Sequence, residues 1–309
     1  MISTSCNDWL RSTVGEYRII RTLKINQRGE VYCIGCGKEK YILKLHNNNI
    51  YWRTEIQSYK YWVSAYEQYA PKLLHIYKNN DEYGILISWL PGQSAENVME
   101  LTKRKTYELF RTAGTLSKNL LNFGKFNHFG RIDDDGKFID YQGQDIGQAI
   151  YNPVLYMEHQ YISILTHVKN IEVLSSNDIR FAKALLTYLN KYNGEESYIV
   201  NTDFLPSNWL IDQKGKLTGV FDFEHIVFDC EVDAFIHLWL DYFNNIKGSE
   251  EAFFEGYGTN PIRSKPEQAR LYFGLYALHD ISFGVETNNQ EFINHGIHVI
   301  RTLQKHEFP

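Results

Sequence analysis

Two stretches decide how this chain is read: Asn201-Thr202-Asp203-Phe204-Leu205-Pro206-Ser207-Asn208-Trp209-Leu210-Ile211, and Gly219-Val220-Phe221-Asp222-Phe223-Glu224. Between them Gln213-Lys214-Gly215-Lys216 is a turn signal, so residues 208–212 and 217–223 read as the arms of a β-hairpin. With the turn centred at or just before Gly215, Asn208 and Asp222 face each other, their Cβ atoms roughly 5 Å apart. An amide oxygen and a carboxylate at that separation can share a hard divalent cation such as magnesium. Asp203, in a turn stiffened by Pro206, reaches the same mouth. Taken singly, each residue reads as a turn or cap. The joint spacing D-x-x-x-x-N, a short hairpin, then an apolar residue and Asp is far more specific.

The flanking chain divides by periodicity. Residues 16–46 read as three short strands of an antiparallel meander, with turns at Asn26-Gln27-Arg28-Gly29 and Gly35-Cys36-Gly37-Lys38. A helix is expected from Trp52 to Tyr66, then a buried strand over 83–89 that stops at Pro91-Gly92. Beyond it, Leu109, Phe110, Ala113, Leu116, Leu120 and Leu121 recur at helical spacing, as do Ile179, Ala182, Leu185, Leu186 and Leu189. Stretches 233–246 and 266–285 also read as helices. The plan is a small sheet-rich lobe, a connector near 88–92 and a larger helical lobe.

These motifs resemble the kinase-like phosphotransferases, and most closely the aminoglycoside phosphotransferase family. The family string H-[GT]-D-x-x-x-x-N, with a hairpin ending in I-D, stands here as Asn201-Thr202-Asp203 through Asn208 and then Val220-Phe221-Asp222. Phe228-Asp229-Cys230-Glu231-Val232-Asp233 resembles the family's G-D-P-x-x-D segment, whose last aspartate is structural. The resemblance implies an α+β, bilobal protein-kinase-like fold. A small antiparallel-sheet N-lobe with one main helix, residues 1–90, would bind nucleotide. A larger, mostly helical C-lobe, 91–309, would carry the catalytic loop and the acceptor site.

It also assigns roles. Lys44, in the third strand, would bind the phosphates of ATP, and Glu55 in the following helix would hold it. Backbone groups of Ser88 and Leu90 would read the adenine edge. Asn208 and Asp222 would hold Mg2+, and Asp203 would be the catalytic carboxylate. Glu224, Asp229, Glu231, Asp241 and Asp280 are candidates for an acidic acceptor cleft. Two departures stand out: Asn201 replaces the usual histidine, and the phosphate loop has a single glycine, Gly29. Asparagine also donates and accepts, so the loop support that the histidine gives is expected to survive.

Composition narrows the partners. Among 309 residues, 32 Lys and Arg stand against 37 Asp and Glu, a net charge of −5. That balance argues against nucleic acid, and the absence of a long apolar run argues against a membrane span. The first residues lack the pattern of a secretory signal, which makes the cytoplasm the expected location. Cys33 and Cys36 read as a strand entering a turn, since no second pair completes a zinc site. Neither G-x-x-x-x-G-K-[ST], G-x-S-x-G nor H-E-x-x-H occurs. The expected activity is Mg2+-dependent transfer of the ATP γ-phosphoryl group to a hydroxyl of a small cationic molecule, first an aminoglycoside-type antibiotic. Choline, homoserine or an amino sugar is the enzymatic alternative. A catalytically weak kinase-like binding or coat-associated protein is the other. ATP against GTP, the hydroxyl modified and the oligomeric state are left open by the residues.

Overall fold

The computed structural model describes residues 2–96, 101–139 and 145–305. Helix α1, Thr4–Val14, opens the chain, with Ser3 capping it through a bond from Cys6 N. Strands β1 (Arg18–Asn26), β2 (Gly29–Cys36) and β3 (Glu39–His46) form the expected meander. Helix α2 spans Asn49–Tyr61 and is capped by Asn48. It begins and ends earlier than the apolar pattern suggested, because Val63–Tyr69 continues as a 3-10 segment. Strands β4 (Leu73–Asn79) and β5 (Glu82–Ser88) complete an antiparallel sheet ordered β1-β2-β3-β5-β4.

Both faces of that sheet are covered. Helix α1 seals one through Cys6 and Leu10 against Tyr32, Ile34, Leu43, Tyr77 and Leu86. Helix α2 seals the other through Trp52 and Ile56 against Ile85 and Ile87. Alternation along β3 therefore turns Leu43 to α1 and leaves Lys44 on the side of α2.

The connector then joins the hairpin of residues 209–220. Strand β6, Gln93–Ser94, pairs with a strand of the far lobe, Ile211↔Gln93 and Leu210↔Ser94. Gly92 sits at φ 137, and a Cβ there would lie 2.6 Å from Thr218 Oγ1, so only glycine fits this crossing.

The second lobe begins with α3 (Lys103–Lys118), the two-residue strands β7 (Arg131–Ile132) and β8 (Phe138–Ile139), α4 (Pro153–Asn170) and α5 (Ser176–Ala184). Next come β9 (Tyr198–Asn201), β10 (Trp209–Ile211), β11 (Leu217–Val220) and β12 (Ile226–Asp229). The expected helix over 233–246 is a 3-10 turn, the short α6 (Ile236–Leu238) and a π turn. Helices α7 (Ser249–Tyr257), α8 (Pro261–Ser264), α9 (Pro266–Glu286) and α10 (Gln290–Gln304) close the chain. Helix α9 is buried on most sides, above all along the unbroken apolar run 271–278. No helix among the described residues is long and apolar enough to cross a membrane.

Helices α3 and α7 cross at glycine. A Cβ on Gly114 would lie 2.0 Å from Phe253 O, so the backbones touch. Gly114→Ala is expected to cost about 1–3 kcal/mol or more, despite alanine's better helix propensity. Urea denaturation reads this directly; an unchanged midpoint would refute the close crossing.

Candidate active site

The hairpin register differs from the simplest expectation. Trp209 pairs with Val220 and Leu210 with Gly219, then the register shifts to Ile211 with Leu217. Asn208 O accepts from Phe221 N at 3.0 Å, so Asn208 stands opposite Phe221 and not Asp222. The cause is the turn, where Gly215 N bonds Asp212 O and Asp212 N bonds Lys216 O, so that it centres on Lys214, one residue before Gly215, with a bulge between Leu210 and Ile211. Asp222 lies beyond the strand at φ 69, a left-handed conformation that aspartate tolerates better than most residues. That kink aims its carboxylate, and the next residue locks it. Phe223 is fully buried, edge-on to Tyr59 and stacked on Tyr66.

Lys44 joins the lobes. Its ammonium lies 2.5 Å from Asp222 Oδ1, 2.9 Å from Glu55 Oε2 and 3.0 Å from Glu224 Oε2. Burial alone would lower its pKa, but the charges of Asp222, Glu224 and Glu55 outweigh this and hold it well above the ordinary lysine value. Burial would likewise raise Glu55, yet Lys44 and His46 keep it below the usual range. Glu224 is held well below that range, burial being outweighed by Lys44 and His225.

Two members of this cluster were not expected in it. Glu224 was a candidate for the acceptor cleft; instead it is buried against Lys44. His46, 3.0 Å from Glu55 and 3.9 Å from Glu224, escaped the sequence reading. Its place two residues after Lys44, on the same strand face, was the available signal.

The loop from β9 is held at each step. Asn201 Nδ2 donates to Tyr66 OH at 3.2 Å and its Oδ1 accepts from Asp203 N at 3.1 Å. Thr202 N bonds His225 O at 3.2 Å. Asn208 Nδ2 reaches both Asp203 O and Asp203 Oδ2 at 2.9 Å. Asp203 is raised above the ordinary aspartate pKa by burial and by the nearby charge of Asp222, against the opposing pull of His225. With Nδ2 committed to Asp203, the Asn208 amide oxygen is the atom available to a cation. Together with the Asp222 carboxylate it is an all-oxygen donor set, which fits Mg2+.

The adenine-edge candidates sit at the end of β5. Ser88 pairs with Tyr41, and its N–H donates to Lys72 O at 2.9 Å. Its side chain also accepts from Lys72 N at 2.8 Å. Leu90 lies two residues on and is half-buried.

The other acceptor candidates separate. Asp241 is solvent-exposed, yet the surrounding protein desolvates its carboxyl and, with the charges of Asp280 and Asp203, pushes it up to about 6 against the pull of His295. Asp280 lies 2.8 Å from His295 Nδ1. Glu231 instead accepts from Tyr257 OH at 2.8 Å. Asp229 is buried, accepting from Tyr156 OH at 3.0 Å, from Tyr272 OH and from Cys230 N at 2.7 Å. Neither forms a hydrogen bond or ion pair with Lys44, Asp203 or Asp222.

Asp229 and Asp233 form a buried carboxyl pair. Burial pushes Asp229 up to about 6 against three donated hydrogen bonds. Asp233 is driven well above the carboxylate range by burial and by the charge of Asp229. The folded protein therefore keeps protons that the unfolded chain releases near pH 4. This contribution is complete below that pH and is lost as pH rises through the folded values, by about 1.4 kcal/mol per pH unit for each proton. Asp233→Asn, permanently neutral, is expected to gain stability relative to wild type as pH rises from 5 to 8. Parallel pH–stability curves for the two proteins would refute it.

The profile of the phosphotransferase enzyme family matches residues 20–272, and the chain belongs to that family. It is a small-molecule phosphotransferase with an alcohol acceptor. Solved structures share the fold at low identity. Aminoglycoside phosphotransferase APH(4)-Ia superposes with a TM-score of 0.73 at 14% identity, covering 97% of this chain and 98% of its own. The gentamicin complex of APH(2")-IIa gives 0.69 at 15%, covering 97% and 96%. The GDP and kanamycin complex of APH(2")-IIIa gives 0.72 at 13%, covering 99% and 100%. No curated protein matches the chain by sequence.

Proposed function

We propose that the protein transfers the γ-phosphoryl group of ATP, with Mg2+, to a hydroxyl of a small cationic molecule, most closely an aminoglycoside-type antibiotic. The observation that carries this reading is Lys44, whose ammonium meets Glu55 of α2 and Asp222 of the catalytic hairpin within 3.0 Å. A cation so placed faces the phosphates of a nucleotide seated under the sheet, its base read by the Ser88 carbonyl and the Leu90 N–H. The Asn208 amide oxygen and Asp222 would hold Mg2+, which neutralises phosphate charge when bound. Asp203 orients the acceptor hydroxyl and accepts its proton, a role that its raised pKa suits. Asp241 and Asp280 draw an amino-bearing acceptor to the same opening. The division of labour near residue 90 is part of this proposal.

The test is product formation from ATP, and from GTP in parallel, with a panel of aminoglycosides, choline, homoserine and amino sugars, read by mass spectrometry. A phosphorylated aminoglycoside, and survival of a sensitive host expressing the chain, support the reading. Transfer only to another panel member corrects the acceptor. Magnesium-dependent nucleotide binding with no transfer to any acceptor would favour a binding protein.

A further inference from the structure

The helix that carries Glu55 is tied to the opposite lobe by a guanidinium. Arg53, two residues before Glu55, places Nη2 2.6 Å from Asp133 Oδ2 and 2.7 Å from Asp135 Oδ2, and Nε 2.6 Å from Asp134 Oδ1. Asp133 is fully buried, and its Oδ1 accepts from Asp135 N at 2.9 Å and Lys137 N at 3.0 Å, folding the β7–β8 turn around itself. Three adjacent carboxylates repel one another unless a cation sits among them. Their oxygens lie close enough together to hold a metal ion, but the guanidinium already occupies that place. The cation comes from the other lobe, and its planar fork reaches all three acids at once. The next residue adds a second tie, Thr54 Oγ1 donating to Glu224 O at 3.1 Å.

We propose that Arg53 is a positioning residue: its ion pairs with Asp133, Asp134 and Asp135 latch α2 to the helical lobe at the depth where Glu55 meets Lys44. This rests on the nucleotide role proposed above for Lys44. An α-helix moves as a unit, so an anchor at residue 53 sets the position of residue 55 to a fraction of a turn. A displacement of about 1 Å at a phosphate-binding cation can cost about 100-fold in rate.

The test compares wild type with Arg53→Met and Arg53→Lys. Arg53→Met is expected to raise KM for ATP and lower kcat, together about 10- to 100-fold in kcat/KM, while KM for the acceptor stays unchanged. Arg53→Lys, which keeps the charge without the fork, should recover part of the loss. Hydrogen exchange gives a readout independent of activity: amides of α2 should exchange faster in Arg53→Met while those of α9 keep their protection. Wild-type kinetics with unchanged α2 protection would overturn the latch. So would an equal loss of protection in α2 and α9, which marks general destabilisation. A wild-type chain that binds no nucleotide would count against the proposed function, and the exchange comparison would then decide the latch alone.

Discussion

Asp203→Ala is expected to lower phosphoryl transfer by about 100- to 10,000-fold while leaving nucleotide binding nearly intact. The carboxylate removed is the one that would orient the acceptor hydroxyl, and nothing else in the loop replaces it. The loop itself should persist. Asn208 Nδ2 keeps its bond to Asp203 O at 2.9 Å, and Asp203 N keeps Asn201 Oδ1 at 3.1 Å. The cluster of Lys44 with Asp222 does not pass through the deleted group. Folding should also be unharmed, because the native state holds this acid above its ordinary pKa and so gains little from its charge. Steady-state kinetics should therefore show a fall in kcat with KM for ATP within a few-fold of wild type. Equal turnover by both proteins would remove Asp203 from the chemistry.

Lys44→Met is expected to damage both binding and stability. Glu55 and Glu224 are 1% and 4% exposed, and Asp222 joins them around the same ammonium. Taking away the cation leaves carboxylates buried together, a change that typically costs about 3–5 kcal/mol. The sign of the pH dependence identifies the cause. In wild type both glutamates are held below their ordinary pKa, so their contribution is present above about pH 4.3 and is lost as pH falls through the folded values. Without Lys44 the same burial pushes them up, and protonation relieves the variant. Lys44→Met should thus lose most stability near pH 7.5 and recover some of it at pH 5. Urea denaturation at the two pH values measures this, and ATP binding should be lost at both. A variant as stable as wild type at pH 7.5 would show that the cluster is not held by its charges.

Much of the site was legible because its signal is local. The spacing from Asp203 to Asn208 and the hairpin to Asp222 lie within about twenty residues, and turn chemistry and strand pairing act over that range. The strand around Lys44 and the helix around Glu55 are marked by short-range patterns too. What escaped is long-range. Strand β4 is stabilised by the face it covers and its own pattern is weak, whereas α1 and α10 are amphipathic helices whose signal was present in the sequence. Glu224 and Asp229 read alike as acids after the hairpin, yet one meets Lys44 and the other is sealed among tyrosines. Register is similarly sensitive, since one residue in the turn moved Asp222 out of the ladder.

By itself the sequence determined that two lobes of different periodicity exist and that Asp203, Asn208 and Asp222 belong to one hairpin mouth. Tertiary structure alone decided that Glu224 and His46 share the surroundings of Lys44, that Asp241 lies within reach of the charges of Asp203 and Asp280, and that Arg53 reaches across to Asp133. Hydrogen-bonded turns and alternation depend on neighbours a few positions away. The environment of a charge depends on chain segments up to 180 positions distant, as Lys44 and Glu224 are, and only the closed fold brings these together.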